Sequence, residues 1–136
     1  MKQAVIFTSF LAILLGANRS HAADCWTVTN IKGYSAMAEE NYKFAQDGFR
    51  NPMQVCFTSD GGTVSCTDIQ LLKFGTSTLA GYGRNELGNE IFEVYQLDRE
   101  TRKLLFVKSR VGPEKSPSPL PNIAAAYVGD AARVAN

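Results

Sequence analysis

The chain has 136 residues, of which 14 are basic and 13 acidic, and 45% of its residues are hydrophobic. A chain of this length forms one small domain with a single hydrophobic core. Nucleic acids and anionic membranes attract proteins with a basic excess, and a formal net charge of +1 gives no electrostatic reason to expect binding to either.

Residues 1–22 have the pattern of a secretory signal peptide. Lys2 supplies a positive start, and the apolar run over residues 4–17 is too short to span a bilayer comfortably. Ser20-His21-Ala22 places small residues at the two positions that a signal peptidase reads. We therefore expect cleavage after Ala22, which releases a periplasmic or secreted protein with no stable membrane insertion.

Cleavage changes both the charge and the chemistry of the chain. Removing Lys2 and Arg19 leaves 12 basic residues against 13 acidic ones, a net charge of −1. The single histidine, His21, is also removed. Without an imidazole, the exported chain has neither the base of a catalytic triad nor a histidine ligand for zinc or copper. We expect no enzymatic activity, no metal site and no cofactor.

In chain order, the first predicted strand covers residues 24–30, where Trp26 and Val28 alternate with polar side chains. Residues 36–41 favour a short helical turn. Asp60-Gly61-Gly62 is a strong hairpin signal between strand-like segments at residues 53–59 and 63–74. A further strand is predicted over residues 76–82.

The clearest predicted hairpin joins residues 90–97 to residues 104–111. With the turn centred between Glu100 and Thr101, every cross-strand pair is of a favourable type, contributing roughly 0.2–1 kcal/mol. The pairs are Leu97 with Leu104, Tyr95 with Phe106, Val94 with Val107, and Glu93 with Lys108. Apolar residues occur at both odd and even positions of these strands, and therefore on both faces. This predicts that both faces are covered.

The last part of the chain contains four of the five prolines. Residues 112–121 are predicted to be a proline-rich connector on the surface. Residues 122–135 are predicted to form a C-terminal helix, because Ile123, Tyr127, Ala131 and Val134 recur at helical spacing. The predicted fold is therefore mainly β, a single domain over residues 23–136. It is a small antiparallel barrel or curved meander of about six to seven strands, with a C-terminal helix.

Three cysteines allow one disulfide and leave one thiol. A two-residue loop at Asp60-Gly61 gives the more coherent apolar face, and it places Cys56 and Cys66 on opposite faces. We therefore expect a bridge between Cys25 and Cys56, with Cys66 as a small buried hydrophobe. A bridge between Cys56 and Cys66 across the turn is the alternative.

A charged hairpin tip is the candidate binding site. It consists of Arg99, Arg102 and Lys103, and Lys108 on the following strand could extend this basic strip. Arginine is enriched among the residues that dominate protein interfaces. The unknown partner is accordingly expected to be a protein.

Three functions are compatible with these patterns. The first is a non-catalytic exported β-domain that binds a protein. Small exported barrels that inhibit lysozymes are similar in size, signal and disulfide, so this domain could be inhibitor-like, although none of their motifs occurs here. The alternative is a lipocalin-like carrier of a small apolar ligand, which needs a hollow barrel. The third is a carboxylate-dependent hydrolase that uses two residues among Glu39, Glu40, Asp68, Glu90 and Glu93.

Overall fold

The computed structural model describes residues 23–113 and 119–135. The predicted signal peptide and residues 114–118 of the predicted connector lie outside the described residues. The described chain consists of nine β-strands and one 3-10 turn, Ala38–Glu40. The strands are β1 Asp24–Met37, β2 Phe44–Phe49, β3 Met53–Phe57, β4 Gly61–Val64, β5 Leu71–Phe74, β6 Thr78–Arg84, β7 Glu90–Asp98, β8 Lys103–Val111 and β9 Ile123–Arg133.

The strands form a closed antiparallel barrel. The hydrogen-bonded order is β2-β1-β3-β4-β5-β6-β7-β8-β9, and β1 also pairs with β9. Eight strands thus close the barrel, and β2 is an additional strand beside the second half of β1. The barrel confirms the mainly β antiparallel fold.

A bulge in β1 lets this long strand serve both halves of the barrel. The register between β1 and β9 shifts between Thr29 and Lys32, and Asn30 adopts a positive φ of 51°. Asn tolerates this left-handed conformation better than most residues. Before the bulge β1 pairs with β3, and after it with β2.

The β7–β8 hairpin has the predicted register. All four expected cross-strand pairs are present, including Tyr95 with Phe106 and Glu93 with Lys108. The sequence pattern was sufficient to predict this register, because a slip of one residue would turn Leu97 and Leu104 away from the core.

The predicted C-terminal helix is wrong, because residues 123–133 form β9. A spacing of four residues places side chains on one face of a helix, but it also preserves parity along a strand. Tyr127 and Ala131 therefore fit both structures, and both are buried in the barrel. These residues form a strand because β9 pairs with β1 on one side and with β8 on the other along most of the length of β9.

The predicted number of strands is also too low. The segment predicted as one strand over residues 63–74 is divided into β4 and β5 by the turn at residues 65–70. In addition, β9 was not predicted as a strand, and the sequence of residues 42–46, which include the start of β2, is compatible with both a continued helical turn and the start of a strand. The six-residue β2 contains Asp47 and Gly48, which are uncommon in strands and weaken its sequence signal.

The disulfide joins Cys25 to Cys56, as predicted. These residues are directly opposite on β1 and β3. In the β3–β4 hairpin, Val55 pairs with Val64 rather than with Cys66, so the turn is centred one residue earlier than expected but the parity is unchanged. The bridge is compatible with an oxidising location such as the periplasm or the extracellular space.

Aromatic side chains fill the middle of the barrel. The rings of Tyr95 and Phe106 stack with centroids 4.5 Å apart, and the ring of Tyr127 stacks on Phe106 at 5.4 Å. Phe49 from β2 meets the edge of Tyr127 at 5.0 Å. This stack belongs to a continuous core that extends to Trp26 at the end nearer the β7–β8 turn.

Candidate functional site

Arg99 of the predicted binding tip is held against the end of the barrel. Its Nη1 atom lies 2.7 Å from Oδ2 of Asp24, and its Nε atom donates a hydrogen bond to Oγ of Ser77. The guanidinium also lies over the rings of Trp26 and Phe57, at 5.7 and 5.5 Å from their centroids. Arg99 thus closes the end of the core.

Arg102 and Lys103 remain at the tip and are exposed. Arg102 has a positive φ of 54°, and its carbonyl accepts a hydrogen bond from the backbone of Ala131. The Lys103 ammonium forms an exposed ion pair with Asp130. The structure brings Arg99, Arg102 and Lys103 together in one turn, and among the described residues Arg102 is the one of these three without a side-chain ion pair.

Lys108 does not join the tip, because it points into the barrel. Its Nζ atom lies 2.6 Å from Oε1 of Glu93, whose side chain has no exposed surface. The contact is an ion pair without an aligned hydrogen bond. Oη of Tyr95 donates to the other carboxylate oxygen at 3.0 Å. The charge of Glu93 is therefore balanced inside the barrel.

Cys66 is not the buried hydrophobe that was predicted. It lies in the turn after β4 and is exposed as a residue, because the strand ends at Val64. Its Sγ atom nevertheless points inward, 3.7 Å from Oη of Tyr95. Burial of the sulfur raises the pKa of this thiol, which makes it a weak nucleophile.

Two carboxylates are tied to the ends of the barrel. Burial raises the pKa of Asp24, but hydrogen bonds from Arg99 and Trp26 outweigh burial and lower it overall. A hydrogen bond from Tyr127, with an O–O distance of 2.7 Å, lowers the pKa of Asp47. Both carboxylates therefore hold the barrel in its folded form.

The outer face of four adjacent strands is largely apolar. Three cross-strand rows run over β7, β8, β9 and β1. The middle row consists of Val94, Val107, Ala126 and Tyr34. The apolar members of the three rows that reach the surface, which excludes the buried Ala36, are called the outer wall, namely Tyr34, Phe92, Val94, Leu105, Val107, Ala124, Ala126 and Val128.

The outer wall is exposed to solvent, so the prediction that both faces of β7 and β8 are covered is wrong. Tyr34 is 53% exposed, Phe92 48%, and Leu105 and Val107 45% each. A shallow groove of about 750 Å³ runs along the middle row. Lys32 is the one charged side chain in the three rows, at a corner near Asp130.

A second apolar area lies on the neighbouring strands β5 and β6. Leu72, Phe74 and Tyr82 are each more than half exposed there, and they border a depression of about 440 Å³ that also includes Phe92. On each of these strands every second residue faces the core, and the residues between them are also largely apolar. These remaining apolar residues were the sequence signal for both areas.

The end of the barrel opposite the β7–β8 turn is polar. A cleft of about 570 Å³ contains Cys66, Asp68, Arg84 and Lys108 in its lining. A smaller cavity of about 200 Å³ is lined in part by Asp47, Lys108 and Arg110. The Arg110 guanidinium donates two hydrogen bonds to the carbonyl of Pro121, which anchors the chain entering β9.

Residues 23–113 and 119–135 contain no cluster of three or more His, Cys, Asp or Glu side chains that could hold a metal ion. No helix in these ranges is long and apolar enough to cross a membrane.

Comparisons of the chain with protein-family models, with curated proteins and with solved structures gave no significant match. The functional proposal therefore rests on the geometry of the described residues.

Proposed function

We propose that this chain is a non-catalytic exported domain that binds another protein through the outer wall of its barrel. The observation that carries the proposal is the middle row of the wall, in which Val94, Val107, Ala126 and Tyr34 form an unbroken apolar stripe across four strands. Exposed apolar patches of this kind mark interaction surfaces in folded proteins.

The contacts that Arg99 already makes at the hairpin tip favour the wall as the binding surface. Arg99, the strongest candidate anchor at the tip, already contacts Asp24, Ser77 and the ring of Trp26. A partner would have to replace these contacts before it gained any from Arg99. Within residues 23–113 and 119–135, the wall side chains make no hydrogen bond or ion pair that a partner would have to replace.

The packed interior favours binding over carriage of an apolar ligand. Tyr95, Phe106 and Tyr127 stack across the centre of the barrel, where a lipocalin-like carrier needs an empty cavity. A hydrolase that uses two carboxylates is also less well supported. The most buried candidate, Glu93, is bound by Lys108 and Tyr95 rather than directed at an open cleft.

Site-specific photocrosslinking in the producing cells tests this proposal. A photoreactive phenylalanine analogue replaces Val107 on the wall, Glu100 at the hairpin tip or Thr63 on β4, all of which are exposed. We expect protein adducts from position 107 and none from position 63. Adducts from position 100 alone would move the site to the tip, and adducts from none of the positions would overturn protein binding.

A further inference from the structure

The free edge of the barrel sheet is protected against association. Of the nine strands in the described part of the chain, β2 is the one that pairs on one side only. It is six residues long, its Asp47 points inward, and Asn51-Pro52 follows it after a single residue, Arg50. A short edge, an inward charge and a nearby proline are features that prevent strands from adding to an edge. Association through this edge is therefore disfavoured.

The outer wall has none of these protective features. No proline or acidic side chain lies in its three rows, and Lys32 occupies a corner rather than the centre. Ion pairs lie beyond two of its ends, between Lys103 and Asp130 and between Arg84 and Glu90. The surface between them carries little net charge, so two copies of it would meet without strong repulsion.

The area of the wall matches the requirement of a stable dimer. Tyr34 and Phe92 are about half exposed, and each presents on the order of 100 Å². With Leu105, Val107 and Val128 the apolar area reaches on the order of 400 Å² per copy. Interfaces are roughly 60% apolar, so two such walls correspond to about 1,300 Å² of total buried area. Stable interfaces bury about 1,200–2,000 Å².

We infer that the partner at the outer wall is a second copy of this chain, packed wall to wall in a symmetric dimer with the middle row at its centre. This inference rests on the proposed function, because it identifies the protein that the wall binds. A symmetric interface uses the same patch on both copies, so it ends at two and does not continue into filaments.

Sedimentation equilibrium of the exported protein tests the inference. We expect a mass of two chains at micromolar concentration. Val107→Lys introduces two ammonium groups at the centre of the dimer and should raise the dissociation constant at least 100-fold. Thr63→Lys, on an exposed position of β4, should leave the dimer unchanged. Circular dichroism and the urea midpoint establish that both variants are folded.

Three outcomes would overturn the dimer. They are a monomeric mass up to hundreds of micromolar, an unchanged mass for Val107→Lys, or a mass that rises beyond two chains with concentration. The crosslinks from position 107 separate this inference from the proposed function. An adduct of twice the chain mass supports both, and an adduct with a different protein overturns the dimer alone. Absence of any adduct contradicts both.

Discussion

Lys108 on β8 lies directly opposite Glu93 on the neighbouring strand β7, and inside the barrel the ammonium and carboxylate atoms are 2.6 Å apart. The pair lies one layer beyond the stack of Tyr95 and Phe106, on the same inward parity of the two strands. The alternation of side chains along the two strands therefore places this ion pair on the face that points into the core.

Removing one partner of this pair should strongly destabilise the fold. Lys108→Met leaves the fully buried Glu93 carboxylate without its counter-charge, and we expect a loss of about 3 kcal/mol in the free energy of unfolding. Urea denaturation at pH 7 measures it. The control is Lys103→Met, which breaks an exposed pair and should cost less than about 1 kcal/mol. Equal losses would show that the interior position of Glu93 has no energetic consequence.

Arg99 should contribute to stability, whereas Arg102 should not. Arg99→Met removes the ion pair with Asp24 and the guanidinium above Trp26, and we expect a loss of about 1–2 kcal/mol. Arg102→Met keeps the backbone of the turn and removes no side-chain contact with an acid, so the change should stay within about 0.5 kcal/mol. The urea midpoints of the two variants measure how much stability each substitution removes. A smaller loss for Arg99→Met than for Arg102→Met would reverse their assigned roles.

The contact between Tyr127 and Asp47 should make stability dependent on pH. Because the pKa of Asp47 is lowered in the fold, its contribution is present above the unfolded value of about 3.9 and is lost as pH falls through the folded value. Tyr127→Phe removes the main cause and should cost about 1–2 kcal/mol at pH 7. The cost should be smaller at about pH 2.5, because protonation of the carboxyl is favoured as pH falls and removes the charge that the Tyr127 hydroxyl stabilises.

Urea unfolding of the wild type and of Tyr127→Phe at the two pH values provides this comparison. Tyr34→Phe removes a hydroxyl from the exposed wall and serves as the control, with little effect expected at either pH. If Tyr127→Phe lost the same stability at both pH values, its hydroxyl would not act through the Asp47 charge.

Closure of the barrel requires glycine at position 33. A Cβ atom there would collide with backbone atoms of β9, first of all with the carbonyl oxygen of Ala126. Gly33→Ala should cost at least about 3 kcal/mol, because backbone rather than a flexible side chain must move. Gly83→Ala meets only the side chain of Ile69 at 3.4 Å and should cost less than about 1 kcal/mol. Thermal unfolding that ranks the two variants the other way would contradict the tight β1–β9 seam.

Local pairing was predictable from the sequence, and long-range pairing was not. The register of the β7–β8 hairpin follows from side chains that are close in the chain. The Cys25–Cys56 bridge was also predictable, because the two-residue loop with the more coherent apolar face places Cys56 and Cys66 on opposite faces, whereas a three-residue loop would have paired them. By contrast, Tyr127 and Ala131 are four residues apart, a spacing that does not distinguish a helix from a strand. The pairing of β9 with β1 across the whole domain decides it.

The candidate site was predictable only in part for a related reason. Arg99 looks like a free anchor in the sequence, because its contacts with Asp24 and Ser77 come from residues 75 and 22 positions away. The outer wall had a visible signal, the apolar residues on both parities of β7 and β8. Their alternation cannot tell whether the second face meets another element of the same chain or solvent.

The seam between β1 and β9 also has a kinetic consequence. Asp24 and Arg133 form an ion pair across 109 positions of sequence, so the barrel closes only when the last strand is available. Pairing over such distances in sequence slows folding. Until then β1 has one edge unpaired and the chain stays open. The proposed export would benefit directly, because a polypeptide that cannot close early can still be threaded through a translocation pore.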